Sequence, residues 1–510
     1  MASSSAPSHH LKIQLLGRGA HPLGNSDVTI TDLATGRAAF DDIISGESVE
    51  VDLPAGRYGI GTVIRTLVPG SENASSTVAC LPRFEFGGDT NLVFDAQRGK
   101  RVSISLDEPS AELVSGSFFV AQPTDQGLVQ FPASPSALRN LEENELYVVP
   151  TATEKGFSFE LQSHWVQRGA PITPYVYNLV TATHDGIPAD PSFRVHTSDL
   201  VQVRRHWSAQ GISGDNSDVG SGPNLDFVNG HGTWGFGFRI PSPGVRTEYY
   251  TPGRWNVDTA QGVSEVGYEN SSALLEYGPG IYREKWNQMP LGPTFVEGLI
   301  YQASRQGDDL IMYIPMFSDS ERGHAGTAHH TAIGTTTLRR GDEVLREEPF
   351  MGIFPSAVTL PPEPSVYEVT VQGKRQVPWS RYATDQSVTW KFLSQHTTES
   401  EPLPLMALRY SPKLDDHGRA IAGLPSTFEV RAEHNGGKGP PLRQLDVFVS
   451  YDDGQRWEQA PVVGLGDARR VFVRYPSDAE FVSLRGVAVD EEGNSVTQTL
   501  IRAYGLRRLD

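Results

Sequence analysis

LDVFVSYDDGQRWEQAPVV (445–463) is followed by VFVRYP (471–476) and by FVSLRGVAVDEEGNSVTQTLIRAY (481–504). Leu445, Val447 and Val449 alternate with Asp446, Phe448 and Ser450, so one face is apolar with the period of two that marks a half-buried strand. Asp452, Asp453 and Gly454 make a turn. The acidic side chains can bond their own backbone there, and glycine accepts a positive φ. Phe481, Ser483, Arg485, Val487 and Val489 run as a second extended segment. A second acidic turn, Asp490 to Asn494, leads into a return strand rich in Val, Thr and Ile. The pattern predicts an antiparallel sandwich of the immunoglobulin or fibronectin type over 401–510.

Outward from this stretch the chain keeps the same character. It has 510 residues, with 51 glycines and 36 prolines. Turns are frequent, and no long segment carries clear helical periodicity, so the class is all-β. A soft prior of about 150 residues per domain gives roughly three domains. Acidic residues outnumber basic ones, 61 to 43, for a formal charge of −18. Such a surface repels nucleic acid and anionic membranes, so neither is an expected partner. No apolar run is long enough to span a membrane. One cysteine, Cys80, permits no internal disulfide and leaves the redox compartment open. Residues 1–10 read as a flexible leader without the apolar core of a signal peptide.

Residues 11–107 read as a first sandwich. Its clearest unit is VDLPAGRYGIGTV (51–63), where Val51 and Leu53 alternate inward and Pro54-Ala55-Gly56 turns the chain. Gly56 is expected at positive φ, and Tyr58 starts the return. This hairpin resembles transthyretin-like or carboxypeptidase-regulatory-like sandwiches. A larger β region, 108–400, holds seven of the eight tryptophans, at 165, 207, 234, 255, 286, 379 and 390. Within it, 209–226 reads as a long loop. VTLPPEPSVYEVTV (358–371) reads as a second hairpin of the first design, with Tyr367 early in the return strand. TTESEPLP (397–404) reads as a border.

Several of these stretches also resemble, in order, the C-terminal end of large secreted actinobacterial subtilisin-family serine peptidases. They are VDLPAGRYGIGTV, VRTEYYTPGRW (245–255), GPGIYREKWNQMPLGP (278–293), GDDLIMYIPMFSDSERGHAG (307–326), RYSPKLDDHGRAIAG (409–423), VSYDDGQRWEQAPV (449–462) and FVSLRGVAVDEEGNSVTQTLIRAYGL (481–506). The likeness covers 11–510. It implies an extracellular, β-rich, non-catalytic region, with a protease catalytic domain or a protein substrate as partner.

Candidate chemistry is sparse. His231-Gly232-Thr233 looks like a fragment of a subtilase histidine motif, but Trp234-Gly235-Phe236 follows it. No Gly-Thr-Ser-Met-Ala nucleophile motif occurs, and a triad needs its three members together. His324 and His329 (or His330), with Asp319 and Glu321, are candidate metal ligands, although adjacent histidines on a strand face opposite ways. Acidic turns at Asp415-Asp416, Asp452-Asp453 and Asp490 to Glu492 offer oxygens to Ca²⁺; no other cofactor is implied. Ser450 to Trp457 fits the sialidase-type Asp-box hairpin, in which Asp452 and Gly454 shape the turn and Trp457 packs beneath it. Arg246, Glu248, Tyr249 and Tyr250 in one segment and Tyr282, Arg283 and Trp286 in another mix charge with aromatic rings. They are expected to pair as neighbouring strands and, with Trp255, to form a docking face. The leading expectation is a non-catalytic accessory region of a secreted subtilisin-like peptidase, or a stand-alone relative. A carbohydrate or cell-surface binding module built on the tryptophans, and a hydrolase with an unrecognised site, are the alternatives.

Overall fold

The computed structural model describes residues 8–19, 21–67, 74–138, 145–223, 225–227, 230–232, 237–263, 266–300 and 302–509. The chain is all-β. Among the described residues the helical turns are two short 3-10 segments, Ala96–Arg98 and Thr197–Asp199. No helix among them is long and apolar enough to cross a membrane.

The first sandwich sets a three-stranded sheet against a six-stranded one. The small sheet runs Ser48–Pro54, Ser8–Leu16, Thr90–Asp95. The large one runs Ala38–Ile44, Ser26–Asp32, Gly56–Leu67, Ala74–Phe86, Leu146–Val148, Lys100–Arg101. Leu11, Ile13, Val28, Ile30, Ile60 and Phe94 close the space between them. Each such side chain contributes about 1.5–3 kcal/mol when fully buried. The expected leader is corrected in part. The first strand begins at Ser8, and the His10 amide donates to Asp89; residues 1–7 lie outside the described set. Leu146–Val148, beyond the expected border at 107, joins this sandwich parallel to Ala74–Phe86.

The central unit packs a seven-stranded sheet on a five-stranded one. The first has the order Gly127–Leu138, Ala111–Thr124, Ser158–Gln167, Tyr175–Ala182, Gly244–Tyr250, Val201–Trp207, Ile281–Trp286. The second has Phe238–Ser242, Gly214–Pro223, Gly253–Val263, Gly267–Tyr277, His324–Thr327. The long loop expected at 209–226 is therefore mostly strand. Its Gly, Ser, Asp and Asn content lacks strand propensity, but Gly253–Val263 supplies a ladder from Ser217↔Gln261 to Pro223↔Trp255. Close approach joins this unit to the first. A Cβ added at Gly61 would lie 2.6 Å from the Phe131 ring, so only glycine admits that ring.

The C-terminal half is one core, running from Met289 to Leu506. Its large sheet orders Glu343–Glu348, Ala332–Arg340, Ser365–Arg375, Asp385–Ser394, Ser495–Arg507, Phe481–Asp490, Leu442–Ser450, Glu458–Ala460. Met406–Ser411, Pro425–His434 and Ala468–Arg474 belong to the sheet packed on its C-terminal part. The expected border at 397–404 is corrected. Asp385–Ser394 pairs with Ser495–Arg507, and Thr397–Pro402 is itself a strand beside Gln302–Gly307. The second hairpin expected at 358–371 is not one: Val358–Thr359 and Ser365–Arg375 lie in different sheets. Local pattern carries no record of which distant edge a strand will fill.

This continuity is testable. Trp390, on the N-terminal side of the expected border, is fully buried and donates to the Met406 carbonyl at 2.7 Å. Trp390→Ala should cost about 3–5 kcal/mol and open 405–510 to limited proteolysis. Unchanged protease resistance of that region would show that it stands alone.

Candidate functional site

The central seven-stranded sheet holds the candidates. Its sixth strand, VQVRRHW (201–207), turns Val201, Val203, Arg205 and Trp207 inward and Gln202, Arg204 and His206 outward. Alternation thus forces an arginine into the apolar phase. This strand lies between the two segments expected to be neighbours: Val201–Trp207 pairs antiparallel with Gly244–Tyr250 and parallel with Ile281–Trp286. The expected direct pairing is corrected accordingly.

Arg205 is completely buried and fully engaged. Its Nη1 donates to Glu248 and to Tyr250 Oη, its Nε to Glu284 at 2.7 Å, and its Nη2 to Tyr277 Oη at 2.7 Å. Arg246 forks onto Glu248 Oε1 at 2.9 and 2.6 Å, and its guanidinium lies 5.4 Å from the Trp207 ring. Two cations meet two anions, so the cluster is formally neutral. Burial alone would depress the Arg205 pKa, but Glu248 and its neighbours outweigh it and raise it well above the ordinary value. Burial likewise opposes ionised Glu248, and the two arginines win, lowering its pKa. Burial drives the Tyr250 and Tyr277 hydroxyls upward, which keeps them donors. Such a cluster fixes register and strand order; its groups have spent their protons on one another.

A polar seam continues from it. His164 Nδ1 faces Asn178 Oδ1 at 2.8 Å, and its Nε2 faces Gln162 Nε2 at 2.9 Å. Burial pulls the His164 pKa down to about 4, with Asn178 and Glu248 opposing. The ring is therefore neutral, donating to Asn178 and accepting from Gln162.

The sequence-derived candidates divide by side. Arg246, Glu248, Tyr250, Trp255 and Trp286 are interior. Tyr282 leans on Tyr277 and donates to the Gly278 carbonyl. Tyr249 and Arg283 face outward, Tyr249 stacked on Tyr177 with centroids 4.5 Å apart. Five of the six described tryptophans of the 108–400 region are buried, Trp165 being half-buried. This corrects the tryptophan platform; Trp234 and the side chain of His231 lie outside the described set. Arg205, which binds both segments together, was not among the candidates.

The metal candidates separate. His324 is buried, stacked on Trp286, and bonded to Asp319 at 3.0 Å. His329 is exposed and bonds Tyr313 Oη instead. Among the described residues no three His, Cys, Asp or Glu side chains gather closely enough to hold a metal ion. Oxygens of the acidic turns accept from protein donors: Asp415 from the His417 and Arg419 amides, Asp453 from Arg502, Asp490 from Asn494. A cavity of about 490 Å³ opens beside Cys80 and Phe94. Burial pushes the Cys80 thiol up to about 12, so it stays protonated.

Two expected turns take a different form. Gly56 is not at positive φ; it begins a strand, and a Cβ there would lie 3.3 Å from the Tyr58 ring. The run is a corner rather than a hairpin, since Ser48–Pro54 and Gly56–Leu67 lie in different sheets; Tyr58 Oη, donating to the Pro54 carbonyl at 2.9 Å, latches it. In the Asp-box-like turn Asp452 accepts from Ser450 Oγ and the Arg456 amide, and Gly454 has φ +86°. Trp457 folds back over Gly454 as expected, but it is half-buried rather than buried, with Arg485 4.3 Å above its ring.

No protein-family model matches the chain, and no curated protein matches it. Among solved structures it aligns with the native conformation of E. coli alpha-2-macroglobulin at 8% identity and a TM-score of 0.19. Salmonella alpha-2-macroglobulin reacted with methylamine gives 9% and 0.18. E. coli alpha-2-macroglobulin activated by porcine elastase gives 8% and 0.15. The alignments cover 98–100% of this chain but 40%, 40% and 53% of those chains. TM-scores this low settle neither fold nor function.

Two measurements check the cluster. Arg205→Met leaves Glu248 and Glu284 short of a buried partner and should cost about 3–5 kcal/mol in denaturant unfolding. A cost under about 1 kcal/mol would mean the cluster is solvated. His164 binds its proton less readily folded than unfolded, where its pKa is near 6.5. The unfolded chain therefore takes up the extra proton, and stability falls as pH drops from about 6.5 to 4, by on the order of 3 kcal/mol. His164→Asn should flatten that limb, and an identical pH profile in the variant would contradict the assignment.

Proposed function

We propose that this chain is a non-catalytic accessory region, or a stand-alone relative of one, that supports or positions a secreted subtilisin-like serine peptidase or its substrate. The observation that carries the reading is the saturation of the central charged cluster. Arg205, Arg246, Glu248 and Glu284 bond one another and two tyrosines. They form a frame that holds strands in order, with outward faces left for a partner. The ordered resemblance of residues 11–510 to the tails of such peptidases supplies the partner's class.

The test is co-elution. The purified chain is mixed with a subtilisin-family catalytic domain from an actinobacterial secreted peptidase carrying a resembling tail, and run on size-exclusion chromatography. A complex, or a raised melting temperature of the catalytic domain, is expected. Elution as two separate species with unshifted melting would reject the reading. Casein cleavage by the chain alone, abolished by a serine-directed fluorophosphonate, would replace it with an enzymatic one.

A further inference from the structure

The outer face of the central sheet carries two arginines that no described residue pairs with. Arg204 and Arg283 stand directly opposite each other on parallel neighbouring strands, both exposed. Like charges opposed across a strand pair are destabilising. Lys285 follows on the same face, exposed and in no ion pair with a described residue. Some surface arginines of this acidic chain have partners, as in Arg254–Glu276, Arg346–Glu348 and Arg502–Asp453, and others, such as Arg98, Arg194 and Arg322, stand exposed singly; what distinguishes Arg204 and Arg283 is that they stand opposite each other. Arg204 and Arg283 make no ion pair or side-chain hydrogen bond with any described residue, in a chain of net charge −18. Charges on an edge strand guard against unwanted pairing. That accounts for Arg283 and Lys285 but not for Arg204, which lies one strand further in.

The same strand, Ile281–Trp286, is the edge of its sheet, with no described strand along its second side. Ile281 is 75% exposed at its start. Two residues on comes Arg283, and two further Lys285, so the outward side chains read apolar, basic, basic at a spacing of roughly 6.6–6.8 Å.

We propose that this free edge binds an extended acidic segment of a partner protein, which adds as a further strand and sets alternate carboxylates on Lys285 and on the opposed pair Arg283 and Arg204, with an apolar residue over Ile281. Main-chain bonds to the edge give affinity, and the alternate side chains give specificity. An anionic polysaccharide matches the charge but cannot use the backbone edge. The nearby rings offer it no platform either: Tyr177 and Tyr249 stack on each other, and Tyr175 Oη is bonded to Ser110. The proposal deepens the accessory reading, on which it rests for the partner being a polypeptide.

The probe is a fluorescent peptide with glutamates at alternate positions behind one isoleucine, read by anisotropy against the full chain. Three controls accompany it: the same peptide with the glutamates made contiguous, the same peptide N-methylated at alternate amides, and dextran sulfate. The alternating peptide should bind, weaken with salt, and lose about tenfold or more in affinity to Arg204→Glu/Arg283→Glu. Arg204→Lys/Arg283→Lys should retain most of the binding, which separates charge from misfolding. The contiguous and N-methylated peptides should bind poorly. Equal binding of the N-methylated peptide, displacement by dextran sulfate at equal charge, or salt-dependent self-association of the chain abolished by Arg283→Glu would each overturn the proposal. No peptide binding, with the catalytic domain still co-eluting, would refute this surface and leave the accessory reading standing; failure of both would remove both.

Discussion

Arg375 meets Glu269 through two parallel bonds of 2.6 Å, in a place where both side chains are shielded from water. Arg375 ends a strand of the C-terminal sheet, and Glu269 lies on a strand of the central unit. The remaining guanidinium protons go to Gln210, Ser380 and the Tyr382 carbonyl, while Thr331 and Trp379 donate to the carboxylate. A buried pair of this kind adds little net stability over an apolar contact, but removing either partner is costly. Its consequence is geometric. Sliding either strand by one residue would turn its charge to the other face and strand the partner in the core. The central sheets and the C-terminal sandwich are therefore held in one relative position, and the outward face of the seven-stranded sheet is held with them.

Three such devices recur down the chain. Arg205 ties three strands of one sheet. Arg409 reaches across to the carbonyls of Gly292, Pro293 and Asp319. Arg305 closes on the carbonyls of Gly307, Leu360 and Pro361. In each case a planar guanidinium satisfies backbone or carboxylate oxygens that several strands would otherwise leave unpaired in the interior. A protein of many short strands has many strand ends, and buried arginines resolve several of them here.

The parts legible in the sequence were those fixed by neighbours in the chain. Period-two alternation located Leu442–Ser450 and Phe481–Asp490, the Leu-Pro-Ala-Gly-Arg-Tyr run marked a real strand-to-strand turn, though one that carries the chain from one sheet to another rather than closing a hairpin, and Asp452 with Gly454 marked a real turn. What failed depended on residues far away. Gly214–Pro223 has no strand propensity and exists because Gly253–Val263 templates it. The polar, proline-bearing 397–404 segment resembles a linker, yet it completes a sheet begun at Gln302. Trp457 has the right turn beneath it, but what lies over its ring is Arg485, from a strand that the motif does not contain. The candidate site was half legible for the same reason. Its charges and rings stood out, while the strand that sorts them into an inside and an outside lay some forty residues upstream. The available signal was Arg205 itself, an arginine in the inward phase of an otherwise apolar alternation.

That sorting is also what gives the site its meaning. Inside the central sheet each buried charge of the cluster has its counter-charge, so the cluster itself has no charge left to offer a ligand. On the outer face, one side-chain step away on the same strand, Arg204 repels Arg283 while acidic residues abound elsewhere on the surface. Arg205 and Arg204 are consecutive residues of one type, and the pleat alone decides that one is structural and the other is free. A fold that neutralises its core charges this completely, yet leaves two opposed cations at a sheet edge, accepts a small local destabilisation where a partner's carboxylates would relieve it.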